Sequence, residues 1–531
     1  MVLQYADLVL KNANVLTVDS SRPSAEAVGI KEEKIVVVGT FKDVQPWIGE
    51  QTEVIDLAGK TVVPGFIDTH VHVRGFGHFL VGVNLRGIGS IDEMQRLLRE
   101  RVQKTPKGKW IVGRGWDQEK FREKRYPTRW DLDEAAPDNP VFFTRVCGHI
   151  CVVNSKALES AAITKDAVAP LSSLIDRDSK TQEPTGILKE NAMDSVRNTV
   201  PEPTETELRD ICLQACQKAV EAGITSIHWL TQSPMEARIL HQLRKEDKLK
   251  LRVYIVSPVD YLDRFIETGL VTGFGDHMIK IGSIKILVDG SLGARTAALK
   301  QPYTDQPSTK GMMLFNLETL YELVLKAHRS GFQLAIHAIG DQAIAAALDA
   351  LEKALEKAPR ENHRHRLEHV SVLNESLIQR MKELDAIASV QPHFVVSDFW
   401  VGNRLGETRS KGVYAFKSLI EKDILVAGGS DCPVEPINPL LGIYAAVSRE
   451  ISPQERIPIE KALRMYTINA AYASFEEKTK GSIEVGKLAD LTVLRDDIRK
   501  IEPGKIKDVA VEMTILGGKV VNRTKGRSPK M

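Results

Sequence analysis

Two histidines that stand two residues apart, His70 and His72, follow an apolar segment, and their spacing suits metal binding. In an extended chain, residues i and i+2 point to the same side, so that two imidazoles can reach one ion. A His-x-His triplet by itself is more often incidental than functional. It predicts a metal site only together with further ligands elsewhere in the chain.

Further polar residues stand at the ends of other apolar segments. His337 and His369 each end such a segment, Asp431 follows one in Gly-Gly-Ser-Asp-Cys-Pro, and Lys285 lies within a fourth. A buried lysine must be paired or lose its charge, so Lys285 on an apolar strand is unusual, although each of these residues alone is weak evidence. Lys280, at the start of the same segment, is the less suitable competitor. Together these side chains predict a metal site built from several strands.

The elements that must position these residues alternate between apolar strands and amphipathic helices, which is typical of a parallel α/β sheet. Eight strands are predicted: Thr61–Asp68, Ile224–Trp229, Leu251–Ser257, Ser283–Val288, Gln333–His337, His365–His369, Ala386–Gln391 and Ile424–Gly428. Predicted helices between them include Leu317–Arg329, Gln342–Lys357 and Glu375–Leu384. Eight such units favour a closed (β/α)8 TIM-like barrel, with the ligands at the carboxyl ends of its strands. A doubly wound open sheet is the alternative, but its Gly-rich dinucleotide turn is absent.

The remaining segments predict two further units. Short Val- and Ile-rich strands at both ends of the chain predict a composite β-sandwich domain from residues 1–60 and 481–531, beside a barrel of residues 61–74 and 221–480. The stretch 75–220 is far too long for a normal crossover and predicts an inserted α+β subdomain. Because it leaves the barrel just after His72, it is expected to form a lid or wall over the site.

The composition excludes several classes of protein. The chain has 531 residues with 72 Lys and Arg against 70 Asp and Glu, a net charge of +2, which gives no reason to expect nucleic acid or an anionic membrane as partner. Five cysteines are too few and too odd in number for a secreted disulfide framework. No leader peptide or membrane-spanning segment is predicted, so we expect a cytoplasmic protein. Cys212 and Cys216 are predicted to be small buried apolar residues.

At this point the sequence resembles the amidohydrolase superfamily, in the segments Val63-Pro-Gly-Phe-Ile-Asp-Thr-His-Val-His72 and Gly481-Ser-Ile-Glu-Val-Gly-Lys-Leu-Ala-Asp-Leu491. More narrowly it resembles amidohydrolase family 3, the branch that contains N-substituted formamide deformylases. The segments that carry this likeness are Gly115–Gln118, Val152–Leu158, Lys285–Gly293, His337–Asp341, Arg366–His369 and Ser430–Pro433. The resemblance covers nearly the whole chain, including the insertion.

The resemblance implies a binuclear metal centre. It implies that His70, His72 and Asp431 bind one divalent ion and that His337 and His369 bind a second. Lys285, carboxylated on its side-chain nitrogen by carbon dioxide, would bridge the two ions. Zinc is the natural choice for these ligands, although Mn, Fe, Co or Ni would fit similar donors.

The same resemblance implies that a hydroxide between the ions attacks an amide-type carbonyl of a small molecule. Asp431 would take its proton and pass it to the leaving amine, acting as base and then as acid. The family also suggests a homodimer that forms through barrel helices.

Substrate contacts are predicted less sharply. The candidates are His149 and Trp116 in the insertion and His228, Asp289 and Gln391 near strand ends, with His393 and Trp130 as weaker ones. For each of them, a structural hydrogen bond or core packing is at least as good an interpretation. Four other histidines are expected to be solvated: His241, His277, His328 and His363.

Two alternatives remain open. A mononuclear aminohydrolase that deaminates a heterocyclic base shares the His-x-His pair, a further histidine and the final aspartate, but has no bridging lysine. A metal-free relative that uses the barrel as a scaffold would typically have lost ligands, and none is missing here. Lys285 is therefore the residue that separates the first alternative from the binuclear hydrolase.

Overall fold

The computed structural model of the chain describes residues 5–170 and 173–524. Among the described residues, the N-terminal segment forms seven short strands and one α-helix. In chain order these are β1 Leu8–Lys11, β2 Asn14–Leu16, β3 Ser24–Ala25, β4 Ala27–Lys31, β5 Lys34–Gly39, α1 Phe41–Val44, β6 Glu53–Asp56 and β7 Thr61–Pro64. The first barrel strand, β8 (Phe66–Val71), follows directly.

The sequence predicted one strand over 61–68, whereas the structure divides this stretch between two sheets. β7 pairs with β2 in a terminal sheet, and β8 enters the barrel. The change of sheet falls at Gly65, where a Cβ atom would lie 2.2 Å from the Thr225 hydroxyl oxygen. A larger residue would clash with the Thr225 side chain, so glycine lets the chain pass close to β15 where it leaves one sheet and enters the other.

The segment after β8 forms a separate α/β unit with its own apolar core, which includes Leu98, Trp116 and Phe143. Its elements are α2 Val73–Val81, β9 Val83–Asn84, α3 Ile91–Val102, β10 Ile111–Trp116, α4 Arg129–Asp133, β11 Val141–Arg145, β12 Ile150–Val153, α5 Ser155–Ser160, β13 Ser173–Arg177, β14 Pro184–Glu190 and α6 Ala192–Arg197. The strands form one sheet in the order β13-β14-β12-β11-β10-β9.

The next elements complete the barrel. They are α7 Glu205–Glu221, β15 Ile224–Leu230, α8 Pro234–Lys245, β16 Arg252–Pro258, α9 Leu262–Glu267, β17 Ile279–Leu287, α10 Leu317–Arg329, β18 Gln333–Ala338, α11 Asp341–Lys357, β19 Arg366–His369, α12 Glu375–Glu383, β20 Ile387–Val390, α13 Phe394–Ser397, α14 Val401–Ser410, α15 Phe416–Glu421, β21 Val426–Gly428, α16 Pro439–Ser448, α17 Ile459–Met465 and α18 Ile468–Ala473. Within the described chain, β8 and β15 to β21 form an eight-stranded parallel sheet in sequence order. A bridge from Val71 to Cys432 brings its two edges together. The fold is therefore α/β with a nearly closed barrel, as predicted.

The sequence boundary at residue 220 assigned α7 to the insertion. Its buried residues Leu208, Cys212, Ala215 and Cys216 instead join the barrel core. The helix begins at a capping box, in which the Thr204 side chain accepts from the Glu207 N–H and the Glu207 carboxylate accepts from the Thr204 N–H. Both cysteines are buried as predicted.

The last strands are β22 Leu491–Leu494, β23 Val511–Leu516 and β24 Lys519–Arg523. They join N-terminal strands in a sheet of order β24-β23-β22-β7-β2-β3, while a second sheet has the order β5-β4-β1-β6. Residues of both sheets, such as Val28 and Leu491, contribute to one apolar cluster. The two ends of the chain therefore combine into one β-rich unit.

Two of the four histidines that were expected to be solvated are buried, which makes that expectation wrong for them. His328 and His363 are 3% and 6% exposed, and both contact the buried His365. His328 Nδ1 lies 2.8 Å from His365 Nε2. A chain of hydrogen bonds satisfies these rings inside the protein.

Among the described residues, no helix is both long and apolar enough to cross a membrane.

Candidate metal centre

His70, His72 and Asp431 meet because the loop after β21 runs beside the end of β8. The Asp431 N–H donates to the His70 carbonyl at 2.8 Å, and the His72 N–H donates to the Cys432 carbonyl at 2.9 Å. These two backbone bonds fix the positions from which the three side chains project. One ligand atom of each side chain lies within 4.8 Å of the other two.

The donor atoms are arranged as a cation would require. Asp431 Oδ1 lies 3.1 Å from His72 Nε2 and 3.4 Å from His70 Nε2. It is buried, and it forms no hydrogen bond with any described residue. Unpaired acceptor atoms that face one another in a buried site are costly unless a cation lies between them. The residues present therefore fit a divalent metal ion.

His337 on β18 and His369 at the end of β19 lie across the barrel mouth from this group. Their ring centroids are 4.5 Å apart, and the His369 ring is 5.0 Å from that of His70. His369 has φ 74°, a left-handed conformation that ends the strand and turns its side chain towards the barrel axis. The rings of His337 and His369 thus lie close to His70, while His337 Nε2 lies 3.1 Å from the Gly290 carbonyl and 3.4 Å from Asp289 Oδ1.

Lys285 projects from β17 towards the same group of side chains. Its Nζ lies 3.3 Å from His70 Nε2, and the residue is 6% exposed. Burial lowers the pKa of Lys285 to about 8, although the Glu368 and Asp431 carboxylates oppose this shift. Lys280, the competitor on the same strand, instead pairs with Glu476 at 3.0 Å.

Neighbouring side chains also affect the pKa of Asp431. Burial alone would raise its pKa, but the neighbouring His70 and His72 hold the pKa of Asp431 below its ordinary range. This carboxyl is therefore ionised at neutral pH and can act as a ligand or accept a proton.

Glu368 is a part of the site that sequence reasoning missed. Its carboxylate lies 2.5 Å from His70 Nδ1 and 2.6 Å from Arg366 Nε, and it is fully buried. A carboxylate on Nδ1 leaves Nε2 of the imidazole available to a metal and fixes the ring. The available signal was its position directly before His369 in Arg-Leu-Glu-His.

The candidate ligands lie at the bottom of a cavity of about 1100 Å³ that barrel loops and the insertion enclose. Two of the predicted substrate contacts line it, His149 and His393. His149 Nδ1 lies 2.8 Å from the Glu190 carboxylate. Burial would lower the pKa of His149, but the Glu190 charge outweighs it and raises that pKa to about 9.

The structure does not bring five other predicted contacts to the cavity wall, and one of them, Trp130, is exposed. Asp289 is fully buried, and its carboxylate accepts N–H bonds from Ala298, Ile339 and Gly340. Its hydrogen-bonding capacity is therefore used within the protein, where it ties the loop after β17 to the end of β18.

The other three also have internal partners. Gln391 Oε1 lies 2.6 Å from His369 Nδ1 and holds that ring. His228 lies beneath the site, with Nδ1 2.6 Å from a guanidinium nitrogen of Arg366. Trp116 is fully buried and donates its indole N–H to the Phe143 carbonyl at 2.8 Å.

A parallel barrel that gathers histidines, a lysine and an aspartate at the carboxyl ends of its strands defines the class of metal-dependent barrel hydrolases. The chain belongs to the amidohydrolase family, whose family model (Amidohydro_3) matches residues 53–522. Its family assignment and its overall fold are those expected from the sequence motifs.

Relatives match over most of their length. YtcJ of Bacillus subtilis, named as a candidate amidohydrolase, is 36% identical over 515 residues, which cover 93% of this chain and 96% of YtcJ. The N-substituted formamide deformylase of Arthrobacter pascens is 29% identical, over 97% of this chain and 98% of its own. A crystal structure of an uncharacterized metal-dependent hydrolase from Pyrococcus furiosus has a TM-score of 0.75 and 34% identity, with 93% of this chain and 100% of the other covered.

A shorter match points to another activity in the same superfamily. The adenine deaminase of Listeria welshimeri is 38% identical over 71 residues, 13% of this chain and 11% of that protein. The family match and the full-length relatives together show that this chain is a metal-dependent hydrolase of the amidohydrolase superfamily.

Proposed function

We propose that the protein hydrolyses an amide-type C–N bond of a small molecule at a centre of two divalent metal ions, with zinc as the first choice. The observation that carries this proposal is the position of Lys285. Its Nζ lies 3.3 Å from His70 Nε2, and its charge also acts on Asp431 and on His369. A side chain at that point can serve both proposed ions at once.

In this proposal Lys285 is carboxylated. The neutral amine adds to carbon dioxide, a C–N bond forms, and one proton is released to solvent. The product carries an anionic carboxylate, which would supply oxygen ligands to bound divalent ions. Since burial depresses the pKa of the amine, the reactive neutral form is accessible near neutral pH.

Two divalent ions, when bound, would polarise the scissile carbonyl and lower the pKa of a water molecule towards about 7. Asp431 then accepts the proton of the attacking water on its carboxylate and donates it to the leaving nitrogen. His149 and His393 line the cavity above and can orient the substrate. The products are a carboxylic acid and an amine.

The test begins with the metal content. The full chain, reconstituted with zinc, is expected to hold two ions and to show a carbamate carbon signal after equilibration with ¹³C-labelled bicarbonate. The same preparation is then screened against N-formyl and N-acyl amines, cyclic amides and amino-heterocycles. Hydrolysis of an amide supports the proposal.

One ion per chain with an unmodified Lys285, together with release of ammonia from an amino-heterocycle, would identify the mononuclear deaminase instead. Absence of bound metal after reconstitution would identify the scaffold alternative. Each result is read from elemental analysis and mass spectrometry as well as from turnover.

A further inference from the structure

Two arginines of the insertion, Arg86 and Arg114, line the cavity without a carboxylate partner among the described residues. Arg114 lies on β10, where its guanidinium donates one bond, to the Val146 carbonyl at 3.0 Å. Its Nε is buried and forms no hydrogen bond. Arg86 donates to the carbonyls of Pro433 and Val434.

Other arginines of the same cavity differ in this respect. Arg145 contacts Asp117 at 2.6 Å, Arg197 contacts Asp194 at 2.6 Å, and Arg74 pairs with Glu202. Buried or partly buried guanidinium groups normally have such acidic partners, because an uncompensated charge away from water is costly. Arg114 and Arg86 therefore form a pair whose positive charge an anion would neutralise.

The two charges also act on each other. Burial lowers the pKa of Arg114 to about 10, and the charge of Arg86 adds to this shift, whereas the Asp431 carboxylate opposes it. Two cations beside a single carboxylate leave one positive charge over, which a further anion would neutralise. A planar guanidinium offers paired N–H donors in the geometry of a carboxylate.

The position of the pair indicates which part of a substrate would carry that anion. The Arg86 guanidinium donates to the carbonyls of Pro433 and Val434, two and three residues after Asp431. Arg114 interacts electrostatically with Asp431 and Cys432. Asp431 is the residue from which, in the proposed function, the leaving nitrogen takes its proton. An anionic group beside Asp431 therefore belongs to the amine half of the substrate.

Resting on the proposed function, we infer that Arg114, assisted by Arg86, binds a carboxylate on the amine half of the substrate, so that the preferred substrates are N-acyl or N-formyl amino acids. Arg114 is then a specificity-determining residue, since it contacts a part of the substrate remote from the scissile bond. The inference separates this chain from hydrolases of neutral formamides.

The experiment uses three ligands that share a phenylethylamine unit and an amide bond. N-formylphenylalanine carries the carboxylate on the amine half, N-(2-phenylethyl)formamide lacks it, and N-(2-phenylethyl)succinamate carries it on the acyl half. The full chain with zinc gives kcat/KM for each. The full chain without metal gives the dissociation constant for each by calorimetry, a readout that does not depend on turnover.

The wild-type chain is expected to prefer N-formylphenylalanine over its decarboxylated partner by about 10- to 100-fold, the size of a charge-assisted hydrogen bond. Arg114→Met should abolish this preference and leave N-(2-phenylethyl)formamide within about threefold. Arg114→Lys should keep part of it and serves if the methionine variant does not fold. Arg122→Met is the matched control, because Arg122 is exposed on the same insertion and pairs with Asp92.

Equal affinity of the wild-type chain for the acid and its decarboxylated partner overturns the inference, as does an equal loss for both in Arg114→Met. A stronger, Arg114-dependent preference for the succinamate overturns its placement on the amine half. Arg114-dependent binding of N-formylphenylalanine without hydrolysis supports the binding site and contradicts the proposed function. Hydrolysis of N-(2-phenylethyl)formamide at the same rate as N-formylphenylalanine supports the proposed function and contradicts the carboxylate-binding site.

Discussion

The carboxylate of Glu368 lies 2.5 Å from His70 Nδ1 in a fully buried part of the barrel. Because the same carboxylate contacts Arg366, its charge is compensated and its position is fixed. The pair determines which nitrogen of the His70 imidazole, Nε2, is available to a metal. It also explains why Glu368, which does not touch the cavity, matters for the site.

Replacement of Glu368 tests this relationship. Glu368→Gln keeps the shape of the side chain but removes the charge that orients the His70 ring. We expect the affinity for zinc to fall by about 10- to 100-fold, measured by competition with a chelator. Glu375→Gln, on an exposed side chain at the start of α12, is the control and should bind zinc as the parent does. An unchanged affinity in Glu368→Gln would contradict the orienting role.

Lys285 and Lys280 offer a matched pair on one strand. Lys285→Ala should reduce the metal content from two ions towards one and lower hydrolysis by at least about 100-fold, since a group that stabilises charge at the reacting centre is lost. A short carboxylate such as propionate in the buffer should restore part of the activity. Lys280→Ala removes an ion pair with Glu476, away from the candidate ligands, and should leave the metal content unchanged. If both variants behave alike, Lys285 has no bridging role.

Asp431→Asn separates proton transfer from metal binding. The amide keeps an oxygen ligand but cannot accept a proton at neutral pH, so kcat should fall by about 10²- to 10⁴-fold while elemental analysis still finds metal. The acidic limb of the pH–rate profile should change with it. Hydrolysis at the parental rate would show that another group moves the proton.

Asp398 predicts a pH-dependent stability. Burial raises the pKa of Asp398 to about 7, although a hydrogen bond from the Tyr414 hydroxyl opposes the shift; Glu435 and Asp117 raise the pKa further and Arg145 lowers it. The folded protein thus holds this proton more tightly than the unfolded chain. Its contribution to stability is full below about pH 4 and is lost as the pH rises through about 7.

Asp398→Asn should therefore be more stable than the parent at pH 8 by about 1–3 kcal/mol and equal to it at pH 4, measured by urea unfolding. Asp263→Asn, on an exposed side chain of α9, should keep the parental pH dependence. A parental slope in Asp398→Asn would place the titrating group elsewhere.

Asp289 distinguishes a structural aspartate from a substrate contact. Asp289→Ala leaves three buried backbone N–H groups without their acceptor and should destabilise the protein by about 2–4 kcal/mol in urea unfolding. KM should change little in any variant that remains folded, because the side chain does not line the cavity. A large rise in KM with unchanged stability would restore its predicted role at the substrate.

The amino-acid sequence alone determined the barrel and its candidate ligands. Strand and helix periodicity are local properties, so the segments that become β15 to β21 could be located without a structure. The boundary at Gly65 could not, because Thr61–Pro64 and Phe66–Val71 have the same apolar character and only their partners differ. Pairing between distant strands, not local preference, decides such a boundary.

Only the tertiary structure decided which polar residues serve the cavity. Asp289, His228, Gln391 and Trp116 belong to residue types common in binding sites, yet each has an internal hydrogen-bond partner. Glu368 and Arg114 were not predicted from the sequence to belong to the site. Glu368 directly precedes the candidate ligand His369, and Arg114 lies in the insertion. The physical reason is that function here depends on which hydrogen-bonding groups remain unsatisfied, and satisfaction is settled by residues far away in the chain.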